Sequence, residues 1–289
     1  IIGAILMNIL KVALCQINVI DNKEANIKEA ETYIKIARDK GAELAILPEM
    51  FNCPYENSKF RKYSEIAEDS ITLQHIQKLA KELKIYILAG SIPEKEINED
   101  GSESIYNTSF FYDNNGKLIG KHRKMHLFDI DVKGKIRFKE SDTLTAGDDF
   151  TLVDTKWGKI GLGICYDIRF PELARILTQK GARILIYPGA FNLTTGPSHW
   201  ETLFKARALD NQVYCIGVSP ALNQKGEYNA FGHSIICDPW GDIVAEAKYD
   251  EKLITEILDL DLIDNVRKDI PVLANRRTDL YQINEVKKE

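Results

Sequence analysis

Apolar residues fall in short runs, and between these runs they recur every three or four positions; the two periods read as strands and helices. Lys11 to Ile17 forms a first strand, and Ile27, Ala30, Ile34 and Ala37 then keep helical spacing until Gly41 stops the helix. Leu44 to Leu47 is strand, a helix carries Leu73, Ile76, Leu79, Ala80 and Leu83 on one face, and Ile85 to Ala89 is strand again. The turn signal Asp113-Asn114-Asn115-Gly116 predicts a hairpin. Strands at Lys159 to Ile164, Arg183 to Tyr187 and Val213 to Val218 then alternate with helices, one carrying Leu173, Ile176 and Leu177 and one from about Pro197 to Asn211. Strands at Phe231 to Cys237, Asp242 to Ala245 and Leu253 to Ile257 follow, with a turn at Asp238-Pro239-Trp240-Gly241. Asp261 to Glu289 reads as a short helix and an arm. This alternation predicts an α/β domain with sheets inside and helices outside. No linker, repeat or low-complexity segment divides it, so a single domain over 1–289 is expected, with its core over about 11–260.

Three strands end in residues that carry chemistry. Leu44 to Leu47 runs into Pro48, which cannot donate to a strand ladder, and Glu49 follows at the rim. The segment Lys121 to Asp129 closes a hairpin strand and brings cations to an edge, Lys124 among them. Lys159 to Ile164 ends at Cys165, and Pro171 then suits a first helical turn, a placement expected to favour the thiolate. Glu49, Lys124 and Cys165 from separate strand ends supply a base, an oxyanion stabiliser and a nucleophile.

Composition narrows the possibilities. A chain of 289 residues with 44% hydrophobic content buries a large core, and a formal net charge of −5 gives no reason to expect a nucleic-acid partner. Five cysteines without a CxxC pair argue against a disulfide framework or a zinc site, and Cys15, Cys215 and Cys237 sit in apolar runs as packing residues. Cys53 is either a pocket-entrance residue or a loop thiol without a role. Neither metal-ligand spacing nor a phosphate-binding Gly-rich loop stands out, so no cofactor is expected. The apolar start, Ile1 to Leu10, has no positive region before it; Met7 is a candidate initiator, no stretch is long enough for a membrane span, and a cytoplasmic protein is expected.

The strings Leu47-Pro48-Glu49-Met50-Phe51, His122-Arg123-Lys124-Met125-His126-Leu127-Phe128 and Gly163-Ile164-Cys165-Tyr166-Asp167-Ile168-Arg169-Phe170-Pro171-Glu172 resemble the nitrilase superfamily of carbon-nitrogen hydrolases, in order and in spacing. Within it the omega-amidase branch matches best, through Phe128-Asp129-Ile130-Asp131-Val132, through Tyr187-Pro188-Gly189-Ala190-Phe191-Asn192-Leu193-Thr194-Thr195-Gly196-Pro197, and through His199-Trp200-Glu201. A sister branch resembling deaminated-glutathione amidases usually carries Ser-Ala-Phe-Thr in place of Gly189-Ala190-Phe191-Asn192.

The resemblance implies a four-layer α-β-β-α sandwich, commonly a homodimer formed through the helices after the nucleophile. It implies a cofactor-free amidase that uses water to hydrolyse the terminal amide of small α-keto acid amides through a Cys165 thioester. Glu49 would be the base, and Lys124, with a backbone N–H near Tyr166, would hold the oxyanion. Glu140 matches a second glutamate that orients the lysine. Arg169 either clamps the substrate's far carboxylate or forms a structural salt bridge to Glu172 or Asp167. Phe191, Asn192, Thr194 and Thr195 are candidate pocket-lining residues, and His126 and His199 are expected to be structural. A deaminated-glutathione amidase and a non-catalytic metabolite-binding scaffold remain alternatives.

Overall fold

The structure, a computed structural model, describes residues 8–134 and 136–286, so the candidate initiator Met7 and the segment before it lie outside the described residues. The first half of the chain runs β1 (Ile9–Gln16), α1 (Lys23–Asp39), β2 (Leu44–Ile46), α2 (Asn57–Tyr63), β3 (Glu65–Ile66), α3 (Ile71–Leu83), β4 (Tyr86–Ile97), β5 (Glu103–Tyr112) and β6 (Leu118–Arg123). A small hairpin of β7 (Asp129–Val132) and β8 (Ile136–Lys139) follows. The second half runs β9 (Thr151–Thr155), β10 (Gly158–Leu162), α4 (Pro171–Gln179), β11 (Ala182–Pro188), α5 (Gly196–Asn211), β12 (Tyr214–Val218), β13 (Ile235–Cys237) and β14 (Ile243–Glu246). Then β15 (Lys252–Asp259) and α6 (Asp261–Asp269) return toward the start.

Two sheets result, one in the order β15-β1-β2-β4-β5-β6 with β3 on β4, the other β14-β13-β12-β11-β10-β9. Each has a parallel centre, β1-β2-β4 and β10-β11-β12. Alternate side chains leave opposite faces of a strand, so Ile184 and Ile186 join Leu14, Ile46 and Leu88 between the sheets, whereas Leu185 and Tyr187 face α4 and α5. Ala13, Ala45 and Ile87 likewise face α1 and α3. These strands are buried on both faces, which is why they read as unbroken apolar runs. The layers are therefore helix, sheet, sheet, helix, the four-layer α-β-β-α sandwich. Asn22 and Ser70 start α1 and α3 by accepting backbone N–H bonds at 3.0 Å from Ala25 and Leu73.

Several boundaries differ from the sequence reading. β4 runs on to Ile97 because Glu94 and Glu96 pair with Arg123 of β6, and charge there hides the strand pattern. Phe231 to Ser234 is not strand: Gly232 and His233 take φ of 71° and 58°, which breaks the extended backbone. α2 and the β7–β8 hairpin are too short and polar to show a period. Among the described residues no helix is long and apolar enough to cross a membrane.

Candidate active site

β10 ends at Leu162, and the chain turns sharply so that Cys165 takes a left-handed φ of 47°, a backbone state costly for a side-chain-bearing residue. The carboxylate of Asp167 holds this turn. It accepts from the backbone N–H of Ile164 at 2.9 Å and of His126 at 2.9 Å, and it lies 3.2 Å from His122 Nε2 and 2.8 Å from His126 Nδ1. Burial opposes its ionisation, but the hydrogen bonds from His122 and His126 outweigh that and hold it well below the usual carboxylate range.

Glu49 follows β2 and Pro48, and Gly90 of β4 lets this turn close: a Cβ there would lie 1.8 Å from the Leu47 carbonyl oxygen. Glu49 Oε1 accepts from Asn107 Nδ2 at 2.8 Å and Lys124 Nζ at 3.1 Å, and Oε2 accepts from the backbone N–H of Ala190 at 2.7 Å. Lys124 follows β6 and also donates to Glu140 at 2.9 Å. Glu140 in turn accepts from Tyr55 Oη at 2.5 Å and from the backbone N–H of Phe128 at 2.6 Å. Glu49, Lys124 and Glu140 are wholly buried, and Cys165, 4% exposed, lies beside Glu49 and Lys124.

One ammonium thus sits between two carboxylates beside a thiol. Desolvation pushes Glu49 above the usual carboxylate range; Lys124 opposes this and Glu140 adds to it. Desolvation acts against the charge on Lys124 as well, but Glu140 and Glu49 overcome it and raise its affinity for the proton. Burial, then Glu49, pushes the Cys165 thiol well above its ordinary value. This corrects the expectation that position alone favours the thiolate. Cys165 opens a five-residue 3-10 turn rather than α4, and burial dominates, so deprotonation needs a base in contact. Glu49, its pKa raised by burial and its carboxylate beside the thiol, can take that proton, and Lys124 can stabilise negative charge formed beside it.

Beside this cluster the guanidinium of Arg169 lies 4.8 Å over the Phe191 ring and 5.6 Å over the Tyr166 ring, with Nη1 3.2 Å from His199 Nδ1. Its Nε is buried without a hydrogen-bond partner among the described residues. Asp167 is occupied by the two histidines, and neither it nor Glu172 bonds Arg169, so the structural salt-bridge alternative does not hold. Burial lowers the Arg169 pKa from its ordinary value, though a guanidinium remains charged. Asn192 Oδ1 accepts from the N–H groups of Thr194 and Thr195, both at 3.0 Å, and from the Thr195 hydroxyl at 3.2 Å. Those groups shape the turn into α5, which commits Thr195 to Asn192. His126 is structural as expected, stacked at 3.6 Å on Phe170, whereas His199 touches Arg169.

A cavity of about 880 Å³ reaches the cluster, walled in part by Glu49, Cys53, Tyr55, Ala190 and Tyr228, and not by Cys165, Lys124 or Arg169. Cys53 therefore lines the cavity, its thiol 3.2 Å from the Pro54 carbonyl. Cys15, Cys215 and Cys237 pack in the core as expected. The sequence reading missed Tyr55, Asn107 and Tyr228. Asn107-Thr108-Ser109, a polar run directly before the apolar Phe110-Phe111-Tyr112 of the same strand, was the available signal for Asn107; the two tyrosines had none.

Residues 11–268 match the family model described as carbon-nitrogen hydrolase. The chain is 49% identical over 276 residues to omega-amidase NIT2-A of Xenopus laevis, covering 95% of this chain and 98% of the relative. It is 48% identical over 269 residues to nitrilase homolog 2 of Dictyostelium discoideum (93% and 81% covered), and 45% over 282 residues to omega-amidase NIT2 of Homo sapiens (98% and 100%). Among solved structures, Saccharomyces cerevisiae Nit3, described as a member of branch 10 of the nitrilase superfamily, superposes with a TM-score of 0.86 at 44% identity, covering 95% of this chain and 99% of that one.

Proposed function

The chain belongs to the carbon-nitrogen hydrolase family, and from that premise and the geometry of its buried cluster we infer that it is a cysteine-dependent omega-amidase. It hydrolyses the terminal amide of α-keto acid amides, α-ketoglutaramate and α-ketosuccinamate, to the dicarboxylate and ammonia. The observation that carries this reading is the wholly buried Lys124 ammonium held 3.1 Å from Glu49 and 2.9 Å from Glu140, with the buried Cys165 thiol beside them. A binding scaffold has no use for so costly an arrangement of charge.

The Cys165 sulfur attacks the amide carbon as its proton passes to Glu49. The carbonyl oxygen becomes an oxyanion beside Lys124 Nζ and the backbone N–H near Tyr166, a type of contact worth about 3 to 4 kcal/mol. As the C–N bond breaks, Glu49 gives its proton to the leaving nitrogen, and ammonia departs from a thioester. Water then attacks the thioester while Glu49 accepts its proton; the C–S bond breaks and the thiol is restored. Glu140 fixes Lys124 in place. Arg169, charged and bonded to no carboxylate, pairs with the carboxylate at the far end of the substrate, with Tyr166 and Phe191 flanking it. Asn192 and Thr195 shape the wall indirectly, through the turn they share.

Ammonia release from α-ketoglutaramate, run beside deaminated glutathione with wild type and Cys165→Ala, tests the reading. Turnover of the first alone, lost in the variant, supports it. Preference for the tripeptide would establish a deaminated-glutathione amidase instead. The exposed Leu280 and Tyr281 of the C-terminal arm support a homodimer in which the arm packs on a second copy. Five unpaired cysteines suit a reducing, cytoplasmic setting.

A further inference from the structure

An ammonium has three N–H donors, and two of those on Lys124 are taken by Glu49 and Glu140. The remaining neighbour is Tyr55 Oη, 3.3 Å from Lys124 Nζ. Tyr55 spends its own proton on Glu140 at 2.5 Å, which leaves an oxygen lone pair for the lysine. The phenol therefore closes a ring with Lys124 and Glu140. Its contact with the ammonium is the longest of the three, and so the easiest to exchange.

The Tyr55 ring is held from several sides. Phe138 stacks on it at 5.5 Å, Tyr228 lies at 4.6 Å and Phe60 meets it edge-on at 5.6 Å. Tyr55 also walls the cavity through which the cluster is reached, whereas Lys124 does not. Burial, with Glu140 and Glu49 adding to it, pushes the phenol well above its ordinary value, so it stays a donor to Glu140 throughout the working range. A phenylalanine would satisfy the packing equally well; among the described residues the hydroxyl has partners only within the cluster.

We propose that Tyr55 is a positioning residue that occupies the third N–H of Lys124 in the resting enzyme and yields it to the carbonyl oxygen of the bound amide. The ammonium is then already aimed when the oxyanion forms, and little reorganisation is left for the chemical step. This rests on the amidase reading above, and it adds a specific role to a residue outside the Glu-Lys-Cys set.

Tyr55→Phe removes one oxygen and keeps the ring. The expected result is a fall in kcat of about 10- to 100-fold with KM changed by less than about twofold, the split that marks an interaction made in the transition state. Phe138→Leu, which loosens the ring and leaves the hydroxyl, is expected to keep kcat within about threefold. A second arm needs no turnover: alkylation of Cys165 by iodoacetamide should slow about threefold or more in Tyr55→Phe, because a displaced Lys124 stabilises the thiolate less. No ammonia release by wild type would overturn the amidase reading, and the alkylation arm would still decide the role of Tyr55. Equal kcat and equal alkylation in wild type and Tyr55→Phe would overturn the proposal, as would a kcat loss in Phe138→Leu matching that of Tyr55→Phe.

Discussion

Glu49 and Glu140 share one ammonium, and what separates them is their other contacts. Glu49 receives Asn107 and the Ala190 N–H and lies beside the thiol, whereas Glu140 receives Tyr55 and the Phe128 N–H. Glu49→Gln should accordingly lower kcat by about 10²- to 10⁴-fold, the usual range for removing a general base, as read by ammonia release. Since burial raises the pKa of Glu49 above its ordinary value, the base form is lost as pH falls through that raised value. The acid limb of kcat/KM should therefore lie above the ordinary carboxylate range. Arg169→Leu separates binding from chemistry. KM for a keto-acid amide should rise about tenfold or more, while a neutral amide such as propionamide should show little change, because only the first carries the carboxylate that a guanidinium pairs with.

At the scale of elements, the turns after β2 and β10 set the site. Gly90→Ala would drive a Cβ into the Leu47 carbonyl, a backbone atom that cannot swing aside. A loss of about 1 to 3 kcal/mol or more is expected in urea melts, together with lower turnover as Glu49 shifts. The turn after β10 depends on Asp167, whose carboxyl is held far below its unfolded value of about 4. A depressed folded pKa contributes stability above the unfolded pKa, and that stability is lost as pH falls below about 4. Asp167→Asn should lower the melting temperature at pH 7 and flatten its acid dependence below pH 4. Glu49, Lys124 and Cys165 were legible in the sequence because each closes a strand whose apolar run or hairpin marks its end. The state of the thiol was not, because desolvation depends on what the other sheet lays over it. The sequence left Arg169 open between a clamp and a salt bridge, and the structure removes the salt bridge to Asp167 by pairing that carboxylate with two histidines. Tyr55 sits in an irregular stretch and meets Glu140 only through the tertiary fold, so no local pattern marks it.

In the whole molecule, the arm after α6 leaves apolar side chains uncovered, with Leu280 70% and Tyr281 54% exposed. Lys180 and Glu285 tie part of it back to the end of α4 by an ion pair at 2.5 Å. Truncation after Ile270 should leave the sandwich folded, since both sheets lie upstream; the homodimer proposed above through the arm predicts that it also lowers the particle mass in light scattering at micromolar protein. A truncated chain that keeps the mass of wild-type particles would place the contact elsewhere.

The first sheet also has a property that concerns how the chain is made. β15 lies antiparallel against β1, pairing Ile9 with Asp259, and Asn8 bonds Asp261 across 253 positions. On a ribosome that adds about 5–20 residues per second, β1 therefore waits roughly 13 to 50 s for the strand that covers its edge. During that interval an apolar strand is open to pairing with any neighbouring nascent chain. A cell making this protein rapidly, from crowded polysomes, is thus expected to need a chaperone that shields residues 9–16 until translation ends.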